Sequence, residues 1–161
     1  MSELTFAYEN HLGGCVLPSN NAPNGDPLTY CPKMWDWLIE TNNVKSVLDV
    51  GCGAGFSTKY FQEKKLKTKG IEACQEAIDK AVATNIIKHD FRDGINTPKE
   101  KYDVAWCSEV LEHIDPIYER NVLETLSDCD IIAITHAFPG QGGYHHVNLQ
   151  RPSYWIKRFQ D

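Results

Sequence analysis

The stretch Val47-Leu48-Asp49-Val50-Gly51-Cys52-Gly53-Ala54-Gly55-Phe56 constrains this chain more than any other. An apolar run over residues 46–50 enters a glycine cluster, and a helix-compatible segment follows. That order describes a strand feeding a tight turn that opens a helix. Glycine lets the backbone take φ > 0 and come close to a ligand. The helix N-terminus then offers free N–H groups. The spacing is selective: Gly51, Gly53 and Gly55 read G-x-G-x-G. Phe56 stands where the last glycine of the dinucleotide pattern G-x-G-x-x-G belongs. The loop is therefore expected to take a nucleoside ligand without a pyrophosphate, not a nicotinamide dinucleotide.

From this loop onward, strands and helices alternate. Strands are predicted at 46–50, 68–71, 86–89, 103–107 and 130–135, the last a continuous apolar run of the kind a buried parallel strand shows. Helices are predicted at 33–41, 57–65, 75–84, 116–127 and 153–159, with Ser153 as the N-cap of the last. The pattern is that of an α/β fold with a mainly parallel, doubly wound sheet and right-handed crossovers. Residues 1–32 are rich in Gly, Asn and Pro and read as an N-terminal loop or lid. Residues 33–161 then form the ligand-binding domain. Residues 140–148 are a second loop, bearing glycines and histidines.

The bulk properties narrow the field. A chain of 161 residues, 42% hydrophobic and 24% charged, fits one domain with a real core. A formal charge of -6 argues against a protein built to grip nucleic acid. No apolar stretch approaches a membrane span, and Met1 to Asn10 has neither the basic start nor the apolar run of a signal peptide. Six scattered cysteines, none in C-x-x-C, read as reduced thiols of a cytoplasmic protein. The histidines show no helical ligand spacing, so no metal site is expected.

The glycine segment resembles motif I of the class I S-adenosylmethionine-dependent methyltransferases, close to V-L-D-x-G-C-G-x-G. Ser108-Glu109-Val110-Leu111-Glu112-His113-Ile114 resembles the S-x-V-L-E-H-I segment of the ubiquinone- and menaquinone-biosynthesis type. The resemblance covers about residues 44–138. It implies a Rossmann-like sheet of strand order 3-2-1-4-5 and S-adenosylmethionine as cofactor.

Ligands of such sheets sit at the carboxyl ends of the strands, so residues ending each strand are the candidates. Gly51, Gly53 and Gly55 form the loop, and the resemblance places Asp49 near the methionine end of the cofactor. Glu72 follows Gly51 by 21 positions, close to the spacing of a ribose-binding acid. Asp90 and Phe91 match the family's contacts to adenine: a carboxylate for the exocyclic amine, then a backbone N–H for the ring. Cys107 and Ser108 follow the fourth strand, beside the methionine half. Glu112 and His113 are harder to assign; His113 reads either as a base or as a hydrogen-bonding residue at a helix start.

Methyl transfer is an in-line displacement at an electrophilic methyl group. It needs positioning and water exclusion, and a base only when the acceptor must lose a proton. His113, His136, His145 and His146 are the bases available near neutrality. His146 and His145 rank first, because their loop follows the fifth strand on the acceptor side and carries Gly140, Gly142 and Gly143. The expected acceptor is a small molecule. Two other readings share the fold: a cofactor-binding module without catalysis, and a nicotinamide-dependent oxidoreductase, which the glycine spacing disfavours.

The resemblance also implies two further strands, one antiparallel, after the fifth. Only 23 residues follow Phe138, and they hold no β-rich run. A sheet of five parallel strands is therefore expected, in a fragment or a minimal variant. Its fifth strand would be an apolar edge, covered by the C-terminal helix or by a second copy of the chain.

Overall fold

The computed structural model describes residues 4–160. The first three residues of the expected N-terminal loop, and Asp161, lie outside the described residues.

The N-terminal segment carries two short strands among its turns. Phe6–Ala7 (β1) pairs antiparallel with Cys15–Val16 (β2). Ala7 and Leu17 are buried against Cys74 and Ala77, so the segment shares a core with the rest of the chain. Strands of two residues have no period for a sequence to display. Pro32–Asn42 follows as α1, with Pro32 in the first turn, where a missing N–H costs nothing. Asn43, at φ 52, ends it. Trp35 and Leu38 point inward, whereas Trp37 is exposed.

Ser46–Val50 (β3) is buried along its whole length and is the central strand. Phe56–Glu63 (α2), Lys67–Glu72 (β4), Gln75–Asp79 (α3) and Ile86–Lys88 (β5) complete one wing. Val104–Ser108 (β6), Glu119–Ser127 (α4), Ile131–Thr135 (β7) and Pro152–Gln160 (α5) form the other. Every pairing in this sheet is parallel, in the order β5-β4-β3-β6-β7. This is the expected order 3-2-1-4-5 with five strands. Asp103 fixes the entry of β6 beside β3 by accepting from the N–H groups of Lys45 and Ser46 at 2.6 and 2.9 Å.

The sheet divides the core by alternation along the strands. Val47, Val104 and Trp106 pack with Trp35, Leu38 and Phe61 of α1 and α2. Leu48, Val50 and Ala105 pack with Leu111, Val122 and Leu126, and with Trp155 of α5. Helices thus cover both faces.

Two helix expectations are corrected. The helix predicted over 75–84 stops at Asp79, because the Val82 N–H bonds the Ala54 carbonyl of the glycine loop at 2.9 Å and Asn85 turns at φ 58 into β5. Tertiary bonding here overrides local propensity. Ser153 is not an N-cap: α5 begins one residue earlier, at Pro152, whose fixed φ suits a first helical turn. Trp155 of α5 reaches the core beside Ile132 and Ile134. The outer edge of β7 has no paired strand among the described residues. Among them, too, no helix is long and apolar enough to cross a membrane.

Candidate functional site

The carboxyl ends of β3, β4, β5 and β6 open on two adjoining cavities under the N-terminal segment. The larger, about 580 Å³, is lined by Asp49, Gly51 and Gly53 and by Trp106, Ser108 and Glu109. Glu112, His113 and His146 form another part of its wall. The smaller, about 100 Å³, holds Glu72, His89, Asp90 and Phe91. Gly51, Gly53, Glu109 and His113 border both.

The glycine loop is shaped by crowding. At Gly51, φ is +69, and a Cβ there would lie 2.3 Å from a methyl group of Val110. No larger residue fits. Its N–H, like that of Cys52, bonds the Ile71 carbonyl of β4. Glu72 holds the other side of the loop. Its Oε2 accepts from the Gly53 N–H at 2.7 Å, and its Oε1 accepts from Ala73 and Cys74 at 2.8 Å each. Burial raises the Glu72 carboxyl above the usual range, against the lowering effect of these three N–H groups.

Asp49 is buried and accepts from two hydroxyls of α2, Ser57 at 2.7 Å and Thr58 at 2.6 Å. It therefore pins the start of the helix to the central strand. Ser57 and Thr58 were missed in the sequence, although a hydroxyl pair just after the glycines is the available signal. Burial pushes the Asp49 carboxyl up to about 6, despite those hydrogen bonds. Because this pKa lies above the unfolded value near 3.9, Asp49 favours the fold at low pH, and that contribution is lost as pH rises through 6. Asp49→Asn removes the titration. Between pH 4 and pH 7, the stability of the native chain relative to Asp49→Asn should fall by on the order of 2–3 kcal/mol. Urea denaturation at the two pH values measures it, and an equal difference at both would contradict the assignment.

Asp90 is engaged at both oxygens. It accepts from the Arg92 N–H at 2.9 Å and from Arg92 Nε at 3.0 Å, and His11 Nε2 donates to it at 2.8 Å. Partial burial would raise its carboxyl, but Arg92 and His11 outweigh that and hold it at about 2. Asp90 thus caps the turn Phe91–Asp93 and ties the N-terminal segment down. Phe91 is buried beside it.

Ser108 reaches the larger cavity and shares a 2.8 Å hydrogen bond with Thr135 of β7. Cys107, the other candidate at the end of β6, lines neither cavity. Its side chain is wholly buried in the core with Leu48 and Leu111, and burial raises its thiol far above the usual range. The two residues are neighbours on a strand, so they face opposite ways.

The histidine loop divides similarly. His146 lines the larger cavity and stacks edge-on against His113, with ring centres 4.9 Å apart. The His145 side chain does not line it; only its backbone carbonyl turns inward, bonded by His113 Nδ1 at 3.2 Å. His136 bonds the Ala137 carbonyl and lies against Trp155, away from both cavities. Glu112 is wholly buried: Oε1 accepts from the Ala137 N–H at 3.1 Å, and Oε2 has no N–H or hydroxyl donor among the described residues. Burial first, then the charge of Glu109 and a hydrogen bond with its carboxyl, push the Glu112 carboxyl up to about 7. Burial lowers His113. Glu112, His113 and His146 each place a ligand atom within 4.8 Å of the other two. The expectation of no metal site did not foresee this grouping, which joins residues far apart in the chain.

Known proteins resemble this one in both sequence and fold. The family model described as a methyltransferase domain matches residues 28–130. The ubiquinone biosynthesis O-methyltransferase of Shewanella sp. (strain ANA-3) is 30% identical over 97 residues, which is 55% of this chain and 39% of that protein. The chain thus spans about two-fifths of the length of this relative. A SAM-dependent methyltransferase from Archaeoglobus fulgidus superposes with a TM-score of 0.56 at 19% identity, covering 81% of this chain and 67% of that one. The plantazolicin methyltransferase BpumL, solved in complex with SAH, gives 0.54 at 20% identity over 76% of this chain and 57% of its own.

Proposed function

The chain belongs to the S-adenosylmethionine-dependent methyltransferase-domain family, and on that premise we propose that it transfers a methyl group to a small-molecule acceptor in the larger cavity. One observation carries the reading: the glycine loop, Glu72, and the Asp90-Phe91 pair converge from three adjacent strand ends around the smaller cavity. In this reading Glu72 accepts from the ribose diol. Phe91 flanks the adenine, and Asp90 accepts from its amine. The methionine half runs past Gly51 and Gly53 into the larger cavity, near Asp49 and Ser108. His146 faces the acceptor, and the His145 backbone supports His113.

The cofactor's sulfonium supplies an electrophilic methyl group. The chain positions it, and the carboxylates of Asp49 and Glu109 in the wall give the cavity a negative potential that suits a cationic donor. Incubation with methyl-labelled S-adenosylmethionine and a small-molecule extract should give labelled product. Label no higher than in a heat-inactivated control would overturn the proposal.

The smaller cavity, about 100 Å³, is well below the roughly 300 Å³ at which ligand pockets begin. Leu12 and Gly13 border it, and the His11–Asp90 bond ties that segment to its wall. The N-terminal segment must therefore shift to admit adenine and then settle on the bound cofactor, as a lid does. Proteolysis within residues 8–30 should slow when S-adenosylhomocysteine is added. Equal cleavage with and without it would rule the lid out.

A further inference from the structure

We propose that Glu112, His113 and His146 form a divalent-cation site in the wall of the larger cavity, and that the cation holds a hydroxyl-bearing acceptor. The site itself stands on geometry; its use for the acceptor rests on the methyltransferase reading.

Each of the three side chains has one polar atom fixed by the backbone and another left over. His113 Nδ1 donates to the His145 carbonyl and His146 Nδ1 donates to the Gln141 carbonyl, both at 3.2 Å. A carbonyl can only accept, so both rings carry the proton on Nδ1 and keep a lone pair on Nε2. Glu112 gives Oε1 to the Ala137 N–H, while Oε2 is buried with no N–H or hydroxyl donor among the described residues, and only the Glu109 carboxyl interacts with that side chain from the cavity. A carboxylate oxygen buried without a donor beside two imidazole lone pairs is costly alone and favourable around a cation. Ligating histidines commonly have their second nitrogen bonded in this way, which fixes tautomer and ring orientation.

The surroundings preserve the arrangement. A Cβ at Gly143 would lie 2.1 Å from His146 Nε2, so a side chain there would fill the space at the ligating atom. Glu109 lines the same cavity and adds a second negative charge. Two imidazoles and one carboxylate suit divalent transition metals and leave coordination positions open.

All three ligands line the larger cavity, so a cation held there would meet the acceptor. A hydroxyl bound there loses its proton more readily, because the cation stabilises the oxyanion. In the transfer, an oxygen lone pair forms the new O–C bond as the C–S bond breaks. The electron pair of that bond stays on sulfur, giving a neutral thioether. The hydroxyl proton passes to water at the cavity mouth.

Titration of Mn²⁺ into the full chain, followed by electron paramagnetic resonance, tests the site. The native chain should bind one Mn²⁺, with or without S-adenosylhomocysteine. His146→Ala, on a surface loop, and Glu112→Gln, which retains an acceptor for the Ala137 N–H, should each weaken binding at least tenfold while leaving the circular dichroism unchanged. No saturable Mn²⁺ binding by the native chain, or native binding by both variants, would overturn the site. S-adenosylhomocysteine calorimetry on the same samples separates the two readings, because its failure removes the methyltransferase proposal and leaves the cation result standing. Label transfer that persists undiminished in EDTA would overturn the cation's role with the acceptor.

Discussion

Glu72→Ala should weaken S-adenosylhomocysteine and S-adenosylmethionine alike, about 10- to 100-fold. Two losses combine. The ribose diol loses a charged acceptor, worth roughly 1–3 kcal/mol, and each 1.4 kcal/mol is about tenfold in affinity. The glycine loop also loses the group that holds the Gly53 N–H at 2.7 Å and the N–H groups of Ala73 and Cys74. The loop would then have to be ordered on binding, which lowers affinity further. Glu72→Gln keeps an acceptor oxygen for part of this set and should fall between the two. Calorimetry gives the comparison, and unchanged affinity in Glu72→Ala would remove this residue from the site.

Trp35→Ala should cost about 3–5 kcal/mol of stability, the usual range for deleting a large buried aromatic. Trp35 is 1% exposed. It touches Tyr60 and Tyr30 at ring-centre distances of 5.0 and 5.1 Å, Phe61 at 5.5 Å and Trp106 at 5.9 Å. Through them α1, α2 and β6 share one cluster. Its indole N–H has no partner among the described residues, so the loss is packing and not a hydrogen bond. Trp35 also lines the larger cavity, and its removal would open that wall. Denaturant titration should show the loss; a change below 1 kcal/mol would contradict this role.

The parallel sheet was legible because a central strand buried on both faces writes an apolar run such as Ser46–Val50 directly into the sequence, and the edge strand Ile131–Thr135 carries an apolar run as well although it is only half-buried. The glycine loop and Glu72 were legible because their spacing is fixed by the turn they make. What escaped depends on contacts between distant segments. β1 and β2 have two residues each, too few for a period. α3 ends early because the Val82 N–H is claimed by Ala54. Cys107 and Ser108 could not be told apart without knowing where β6 leaves the core: Cys107 is enclosed, whereas Ser108, the last residue of the strand, opens on the larger cavity. His11 reaches Asp90 from 79 positions away, and His146 meets His113 from 33 positions away. No local spacing encodes either meeting.

The central claim is that this fold binds a nucleoside sulfonium donor and not a dinucleotide. Titration calorimetry of S-adenosylhomocysteine and of NAD into the full chain tests it most directly. The account predicts one saturable site per chain for S-adenosylhomocysteine, weakened by Glu72→Ala, and no saturable heat with NAD. Absence of S-adenosylhomocysteine binding, or binding of NAD at comparable affinity, would contradict it.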